Sequence, residues 1–409
     1  MASDRTFAII GGGLAGAKAA ESARSSGFDG RIVLIGAEVH PPYERPPLSK
    51  GLLRGEADPK STFVHDPGYY AAHDIDMVTG HAAIGLDLAA RVVHVAGGAT
   101  VRFDTALLAT GAAPRRLDVP GAYLDGVHHL RNLDDSMLLA DAIRSASRVA
   151  VVGAGWIGTE VAASARQMGA EVTLIDPGAA PLQRVLGADI GAVIGRLHVD
   201  NGVELRLGVG VAELRGDGHV EQVVLGDGRI VAADVVVVGV GVLPRLSLAV
   251  QAGLLVDNGV VVDEHLETSA AGIFAAGDIA SAFHPLYGRR LRVEHWANAL
   301  NQGITAGRNA VGEREAYTRL PYFFSDQFDL GLEYVGQARP GDAVVVRGDL
   351  DDRKFLAFWH HNGMVSAAMA VNVWDVVDGL KAIISAARPV DPLGLADAST
   401  TLEQLAGRG

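Results

Sequence analysis

The chain has 409 residues, of which 49% are hydrophobic and 20% charged, and this length predicts two or three domains, each burying its own core. Its formal net charge of -13 argues against nucleic acid as a partner, because binding to phosphates requires a dominant basic surface. No apolar run is long enough to cross a bilayer, and the residues before Phe7 lack the apolar region of a signal peptide, so we expect a cytoplasmic protein with no membrane partner.

The chain contains no cysteine. Disulfide reductases and thiol peroxidases need a redox-active thiol, and iron–sulfur clusters are held by cysteine thiolates. The sequence therefore excludes these mechanisms within this chain. The adjacent residues His360 and His361 lie in no pattern of metal ligands, so we predict no metal site.

The first predicted elements are a strand over 6–10 and an alanine-rich helix over 14–26, joined by the segment Gly11-Gly12-Gly13-Leu14-Ala15-Gly16. In a dinucleotide-binding fingerprint of this spacing, the first glycine permits a tight turn, the second lets backbone approach a pyrophosphate, and the third lets helix pack on strand. The phosphates bind at the helix N-terminus. Glu38, after the next strand, is the predicted ribose ligand, with a solvated or helix-capping acid as the alternative.

A second fingerprint, Gly153-Ala154-Gly155-Trp156-Ile157-Gly158, follows a strand over 149–152 and opens another helix. The next strand ends in Asp176, whose carboxylate can accept hydrogen bonds from the ribose hydroxyls of a dinucleotide and repels a 2′-phosphate. The sequence therefore favours NADH over NADPH, although Arg184 leaves NADPH open. Helix capping is the alternative role for Asp176.

Two apolar strands end in glycine-containing turns that we interpret as exits from one nucleotide-binding unit into the next. One is followed by Thr110 and Gly111, and the other by Gly239, Val240 and Gly241. We expect a first domain built from 1–111 and 243–318, a second over 112–242, and an α+β domain over 319–409. Two dinucleotide sites predict a bound flavin and an exchanging nicotinamide cofactor. Without cysteine, electrons must leave the flavin directly for oxygen, a small acceptor or a separate redox protein.

Four further segments carry a family resemblance, and they are Tyr43-Glu44-Arg45-Pro46-Pro47-Leu48-Ser49-Lys50, Gly272-Ile273-Phe274-Ala275-Ala276-Gly277-Asp278, Val293-Glu294-His295-Trp296-Ala297-Asn298-Ala299 and Pro321-Tyr322-Phe323-Phe324-Ser325-Asp326-Gln327. Together with the fingerprints they make the chain resemble the oxygenase-coupled NADH-dependent ferredoxin reductases over nearly its whole length. The resemblance implies an α/β fold with two Rossmann-type dinucleotide-binding domains, glutathione-reductase-like, plus a C-terminal α+β domain. It also implies FAD as the flavin and NADH as the exchanging substrate.

The resemblance places Lys50 beside flavin N5 and makes Glu160 its ion-pair partner, so these two are the candidate catalytic residues. For Lys50 the alternative is a solvated surface charge, and for Glu160 an exposed helix carboxylate. Asp278 is placed on the FAD ribitol or at a helix cap, and Arg131 on FAD or in an interdomain salt bridge. His295 is placed near the flavin without a catalytic role. The full set of predicted cofactor contacts is Gly11, Gly13, Leu14, Ala15, Gly16, Ala37, Glu38, Arg45, Pro46, Lys50, Ala83, Thr110, Gly111, Arg131, Gly153, Gly155, Trp156, Ile157, Gly158, Asp176, Gly241, Gly277, Asp278, His295, Trp296 and Ala297.

The implied partner is a 2Fe-2S ferredoxin serving an oxygenase or a cytochrome monooxygenase, with rubredoxin as a further possibility. Six arginines against three acids between His284 and Leu320 predict a basic surface and hence an acidic ferredoxin. Phe324 stands where the family commonly has tryptophan, which puts an indole electron exit in doubt. The alternatives are an NADH oxidase, a quinone or small-acceptor reductase, and an apoptosis-inducing-factor-like flavoprotein that acts by binding.

Overall fold

The structure is a computed structural model and describes residues 4–407 of the chain. Its strands are β1 (Thr6–Ile10), β2 (Arg31–Ile35), β3 (Ile75–Val78), β4 (Ala83–Asp87), β5 (Val92–Val95), β6 (Thr100–Arg102), β7 (Thr105–Leu108), β8 (Ala112–Pro114), β9 (Val127–His128), β10 (Arg148–Val152), β11 (Glu171–Asp176), β12 (Val203–Leu207), β13 (Val211–Arg215), β14 (Gln222–Leu225), β15 (Ile230–Ala232), β16 (Val235–Val238), β17 (Val242–Pro244), β18 (Val260–Val262), β19 (Ile273–Ala275), β20 (Ala280–His284), β21 (Arg289–Leu291), β22 (Tyr322–Gln327), β23 (Leu330–Gly336), β24 (Ala343–Asp349), β25 (Lys354–His361) and β26 (Met364–Val371).

The helices are α1 (Leu14–Ser25), α2 (Gly51–Arg54), α3 (Tyr69–Ala72), α4 (Leu133–Ser145), α5 (Trp156–Gln167), α6 (Gln183–Leu186), α7 (Ala188–Asp200), α8 (Ser247–Gln251), α9 (Trp296–Ala310), α10 (Val377–Ser385), α11 (Pro392–Ala396) and α12 (Leu402–Leu405). Short 3₁₀ helices cover Pro46–Ser49, Pro59–Thr62 and Gly277–Ile279. None of the helices within residues 4–407 has the length and apolar character needed to span a membrane.

The chain divides into two compact units. Unit 1 contains the chain up to Glu44 together with Lys60–Ala113 and Leu243–Tyr322. Unit 2 contains Arg45–Pro59, Pro114–Val242 and the chain from Phe323 onward. The three domains expected from the sequence remain a prediction, because these units group the short segment 45–59 and the C-terminal residues with 114–242.

Unit 1 is built on a parallel sheet with the strand order β19-β7-β1-β2-β3. The central strand β1 is apolar and buried along most of its length, as expected when helices cover both faces of a parallel sheet. Helix α1 follows β1 and lies against α9 so closely that a Cβ at Gly303 would come within 2.4 Å of the carbonyl oxygen of Ala15. A Cβ at Gly307 would meet the carbonyl of Ala19 in the same way. The two helices are therefore parallel, and the start of α9 projects about 9 Å beyond the start of α1.

Unit 2 repeats the parallel sheet, with the strand order β12-β11-β10-β16-β9. Its C-terminal part is a five-stranded antiparallel sheet with the order β22-β23-β26-β25-β24. Apolar side chains of this second sheet share a buried core with helix α7. The predicted α/β class with a C-terminal α+β region is confirmed.

Candidate functional site

The first fingerprint contains glycines that the protein itself requires and one that it does not. Gly11 has a φ of +133°, and a Cβ there would lie 2.1 Å from the carbonyl oxygen of Ala109. A Cβ on Gly16 would lie 2.1 Å from the carbonyl oxygen of Gly11. At Gly13, by contrast, φ is -93°, and beyond its neighbours along the chain no atom of residues 4–407 lies within 4 Å of an added Cβ. Nothing in the protein demands glycine at position 13, so the open space suits a ligand that approaches the backbone.

The second fingerprint shows the same division. Gly153 has a φ of +104°, and a Cβ on it would lie 2.4 Å from the carbonyl oxygen of Gly239. A Cβ on Gly158 would lie 1.8 Å from the carbonyl oxygen of Gly153, whereas Gly155 has open space. Gly155 and Gly13 are the N-caps of α5 and α1, and neither helix start has a side-chain cap. Each unit therefore offers helix N–H groups to a pyrophosphate, and the residues fit two dinucleotides.

The carboxylate of Asp176 lies against the second fingerprint. Its Oδ2 accepts a hydrogen bond from the backbone N of Ala154 at 2.7 Å, and its Oδ1 accepts one from the backbone N of Gly178 at 2.7 Å. The side-chain oxygen of Gln183 closes the same loop by accepting from the backbone N of Ala179 at 3.1 Å. Because a carboxylate can accept about four hydrogen bonds, Asp176 retains acceptor capacity for ribose hydroxyls.

In unit 1 the segment after β2 runs beside the segment after β3. The backbone N of Gly80 donates to the carbonyl of Glu38 at 2.9 Å, and the N of His81 donates to the carbonyl of Gly36 at 3.1 Å. This pairing brings the predicted contacts Ala37 and Glu38 close to the start of β4 at Ala83. The hydroxyl of Tyr43 donates to the carboxylate of Glu38.

The predicted contacts around Asp278 and Trp296 also lie in unit 1. Gly277 has a φ of +79°, its N donates to the side-chain oxygen of Gln302 on α9 at 2.9 Å, and a Cβ on it would lie 3.3 Å from the Cβ of Ala15. The end of β19, the first turn of α1 and helix α9 therefore converge. Burial lowers the pKa of His295 to about 4, although the charge of Asp278 raises it, so the imidazole is neutral at pH 7.

The ammonium of Lys50 forms an ion pair with Glu160 inside unit 2. The 3₁₀ helix Pro46–Ser49, with prolines at its start, leads to Lys50, whose Nζ lies 2.8 Å from Oε1 of Glu160 and 5.7 Å from the ring centre of Phe324. The Lys50 side chain is 14% exposed and the Glu160 side chain 5%. These values favour the ion-pair interpretation over a solvated lysine and an exposed carboxylate. Their catalytic role remains a prediction.

Two hydroxyl groups that the sequence analysis did not select complete the environment of Glu160. Ser325 donates to Oε1 of Glu160 at 2.6 Å, and Ser49 donates to Oε2. The buried carboxylate thus accepts from three donors. A signal for Ser325 was present in the sequence, because it shares one face of a strand with the apolar Phe323, which marks that face as the buried one.

The structure distributes the predicted site residues over both units. Those in unit 1 are Gly11, Gly13, Leu14, Ala15, Gly16, Ala37, Glu38, Ala83, Thr110, Gly111, Gly277, Asp278, His295, Trp296 and Ala297. Those in unit 2 are Arg45, Pro46, Lys50, Arg131, Gly153, Gly155, Trp156, Ile157, Gly158, Glu160, Asp176 and Gly241. Within unit 2, Arg45 donates to the carbonyl of Arg131, and Gly241 follows β16 with a φ of +100°.

Comparisons with known proteins agree with this geometry. The family described as pyridine nucleotide-disulphide oxidoreductase matches residues 5–303, and a reductase C-terminal domain matches 322–406. The ferredoxin--NAD(+) reductase component of an anthranilate 1,2-dioxygenase system from Burkholderia cepacia is 39% identical over 97% of this chain and 98% of that protein. The ferredoxin reductase of the CYP199A2 system from Rhodopseudomonas palustris has a similar structure, with a TM-score of 0.95 and 36% identity over 99% of this chain and 100% of that one. So does putidaredoxin reductase in its covalent complex with putidaredoxin, with a TM-score of 0.95 and 34% identity over 99% of each chain.

The fold and the paired fingerprints define an oxidoreductase with two dinucleotide sites. The chain belongs to the pyridine nucleotide-disulphide oxidoreductase family, and the predicted resemblance to ferredoxin reductases within it is confirmed. Membership implies the use of a flavin and NAD(H). Because the chain has no cysteine, it lacks the disulfide after which the family is named.

The two kinds of fingerprint glycine should respond differently to the same substitution. Gly155→Ala should raise the KM for NADH about tenfold or more with an unchanged Tm, because its methyl group occupies space that only a ligand uses. Gly158→Ala should destabilise the fold by about 1–3 kcal/mol, because its methyl group collides with backbone. Thermal unfolding and steady-state kinetics measure both. A lower Tm for Gly155→Ala, or an unchanged Tm for Gly158→Ala, would refute the division.

Proposed function

We propose that the protein is an FAD-dependent NADH:ferredoxin reductase that supplies electrons to an oxygenase or a cytochrome monooxygenase. The observation that carries the proposal is the presence of two complete dinucleotide fingerprints in a chain without cysteine. With two bound dinucleotides, electrons can pass from NADH to the flavin. Because the chain has no thiol to accept them, the electrons then leave the protein directly from the flavin. The cytoplasmic location expected from the sequence remains part of the proposal.

We assign FAD to the domain formed by 1–111 and 243–318, and NADH to 112–242. The backbone at Gly13 and the start of α1 would bind the FAD pyrophosphate, Glu38 the adenosine ribose, and Asp278 the ribitol. The backbone at Gly155 and the carboxylate of Asp176 would bind NADH. FAD bound there would supply the redox chemistry, a two-electron acceptor for the hydride of NADH and a one-electron donor to the carrier, while the protein supplies binding and orientation.

Lys50 is the residue that we propose acts on the flavin. Its ammonium can only donate hydrogen bonds, and the carboxylate of Glu160 balances its charge at 2.8 Å. An ammonium held in this way offsets negative charge that develops on a neighbouring ring during reduction.

We infer the ferredoxin partner from the relatives, whose names describe reductase components for oxygenase systems and a complex with putidaredoxin.

Unit 1 has exposed arginines that could form a basic surface for such a partner. Arg289, Arg314 and Arg319 are exposed, and within residues 4–407 they form no ion pair. Arg289 lies opposite His284 in the antiparallel register of strands β20 and β21. The carbonyl oxygen of Arg319 lies 3.1 Å from Nε2 of His284. Arg289 and the backbone of Arg319 are thus both adjacent to His284.

The other three arginines of this stretch are engaged within the protein. Arg292 forms an ion pair with Glu294, Arg308 forms one with Glu315, and Arg290 donates to the carbonyl of Val262. The surface that can attract an acidic ferredoxin is thus smaller than the sequence count of arginines implies. Its effect on association should weaken as the salt concentration rises.

The enzyme should prefer NADH to NADPH by about tenfold or more in kcat/KM, because the charge of Asp176 repels a 2′-phosphate. Asp176→Ala should narrow this preference. Glu171→Ala, at the other end of β11, is the control and should leave it unchanged. Equal kcat/KM values for the two cofactors in the unmodified protein would rule out the role of Asp176.

Lys50→Met should slow flavin reduction by NADH much more than it lowers FAD content, because the charge is lost while an apolar side chain remains. Since this change also leaves Glu160 buried and unpaired, the double variant Lys50→Met with Glu160→Gln should recover thermal stability but not the rate. Stopped-flow absorbance measures the reduction. A normal rate at full FAD occupancy would return Lys50 to a structural role.

Reversing Arg289 and Arg319 to glutamate should raise the KM for a 2Fe-2S ferredoxin severalfold and leave NADH:ferricyanide activity intact, because a small acceptor needs no docking surface. The matched control reverses Arg215, the last residue of β13, and Arg229, in the turn before β15, which changes the net charge equally in unit 2. If the control raises the KM as much, net charge and not this surface governs association. An unchanged KM in the first variant would place docking on another surface.

A further inference from the structure

A line of buried hydrogen bonds continues from Glu160 into the C-terminal sheet and ends on helix α7. Ser325 donates to Oε1 of Glu160 at 2.6 Å, and Nε2 of Gln327 donates to Oγ of Ser325 at 3.1 Å. Oε1 of Gln327 lies 3.0 Å from Nε2 of His198. All of these residues belong to unit 2. They connect α7, β22 and α5 to Lys50, which follows the 3₁₀ helix Pro46–Ser49.

Water has little access to this network. Glu160 is 5% exposed, Ser325 and Gln327 are each 1% exposed, and His198 is 0% exposed. Leaving one of these groups without a partner therefore costs the full penalty of desolvation. Each hydrogen bond must be made within the protein, and the loss of one member affects its neighbours.

Only one order of donors and acceptors makes all three links from Glu160 to His198. An ionised Glu160 accepts only, so the hydroxyl of Ser325 donates to it and receives the amide hydrogen of Gln327. The carbonyl of Gln327 then faces His198, which must carry its hydrogen on Nε2. Nδ1 of His198 has no hydrogen-bond partner within residues 4–407, and burial lowers the pKa of His198, in agreement with a neutral ring.

The polar residues of β22 have no packing reason to be where they are. Phe323, Ser325 and Gln327 alternate on the buried face of the strand, where apolar side chains would fill the same space without needing partners. Ser325 instead donates to the carboxylate of Glu160, and Gln327 donates to Ser325. That carboxylate is also the partner of Lys50.

We propose that Ser325 and Gln327, supported by His198, are positioning residues that fix the carboxylate of Glu160 and thereby hold the ammonium of Lys50 in one place. The proposal rests on the proposed function, since it takes Lys50 as the residue that acts on the flavin. None of the three touches the reacting atoms. Their effect should therefore appear in the rate of flavin reduction and not in the affinity for NADH.

The experiment measures the limiting rate of flavin reduction in the holoenzyme by stopped flow, together with its dependence on NADH concentration. Ser325→Ala should lower the limiting rate severalfold without changing the NADH concentration that gives half the limiting rate. Ser325→Thr keeps the hydroxyl and should restore most of the rate. Ser366→Ala is the matched control, because Ser366 is a buried serine of β26 that donates to the carboxylate of Asp342. It should leave the rate unchanged.

A double-mutant cycle tests whether Ser325 acts through Lys50. In a Lys50→Met background, Ser325→Ala should slow reduction no further, because the group that it positions has been removed. The same severalfold slowing in that background, or an equal slowing by Ser366→Ala, would overturn the proposal. If Ser325→Ala does not fold, Gln327→Met takes its place, with the same slowing expected and a normal rate contradicting it.

Failure of this proposal is distinguishable from failure of the proposed function. A normal rate in Ser325→Ala beside a slow Lys50→Met overturns the positioning role alone. A normal rate in Lys50→Met overturns the role of Lys50 in the reaction and this proposal with it.

Discussion

The buried carboxylate of Glu160 is the constraint on which the organisation of unit 2 depends. A charge that is 5% exposed is tolerated only if other groups balance it and donate hydrogen bonds to it. Lys50 and Ser49 come from segment 45–59, Ser325 comes from the C-terminal sheet, and Glu160 itself lies on the helix of the second fingerprint. Because the carboxylate of Glu160 requires donors from all three stretches, these stretches, although distant in sequence, form one compact unit. Leu53, which is buried in the same unit, adds apolar packing.

The two fingerprints separate the demands of folding from those of binding. Gly11, Gly16, Gly153 and Gly158 face backbone atoms of their own unit, so a side chain at any of them collides with the protein. Gly13 and Gly155 face open space. The repetition of this division in both units supports the proposal that each binds a pyrophosphate at a helix start. A chain with two such sites and no thiol is suited to pass electrons from one dinucleotide through another to an external carrier.

Much of the fold and of the candidate site could be predicted from the sequence. The fingerprints, the alternation along the strands and the position of Asp176 at the end of a strand are all local patterns. The predicted strand over 6–10 agrees with the structure to the residue. The buried hydrogen bonds of Ser325, Gln327 and His198 could not be predicted from local patterns. The bond from Ser325 to Glu160 and the bond between His198 and Gln327 each join residues more than a hundred positions apart. The charge count around Arg289 also overstated the basic surface, since Arg292 and Arg308 pair with Glu294 and Glu315 close by in the chain.

The central claim, that electrons leave the flavin singly to a ferredoxin, is tested most directly by cytochrome c reduction with NADH in the presence and absence of a 2Fe-2S ferredoxin. The account predicts slow reduction by the protein alone and a rate that rises about tenfold or more and saturates as ferredoxin is added. Rapid consumption of NADH with oxygen as the only acceptor would instead identify an oxidase. Slow turnover with every carrier tested, beside a long-lived complex of NAD and reduced flavin, would identify a protein that acts by binding, and either result would contradict the account.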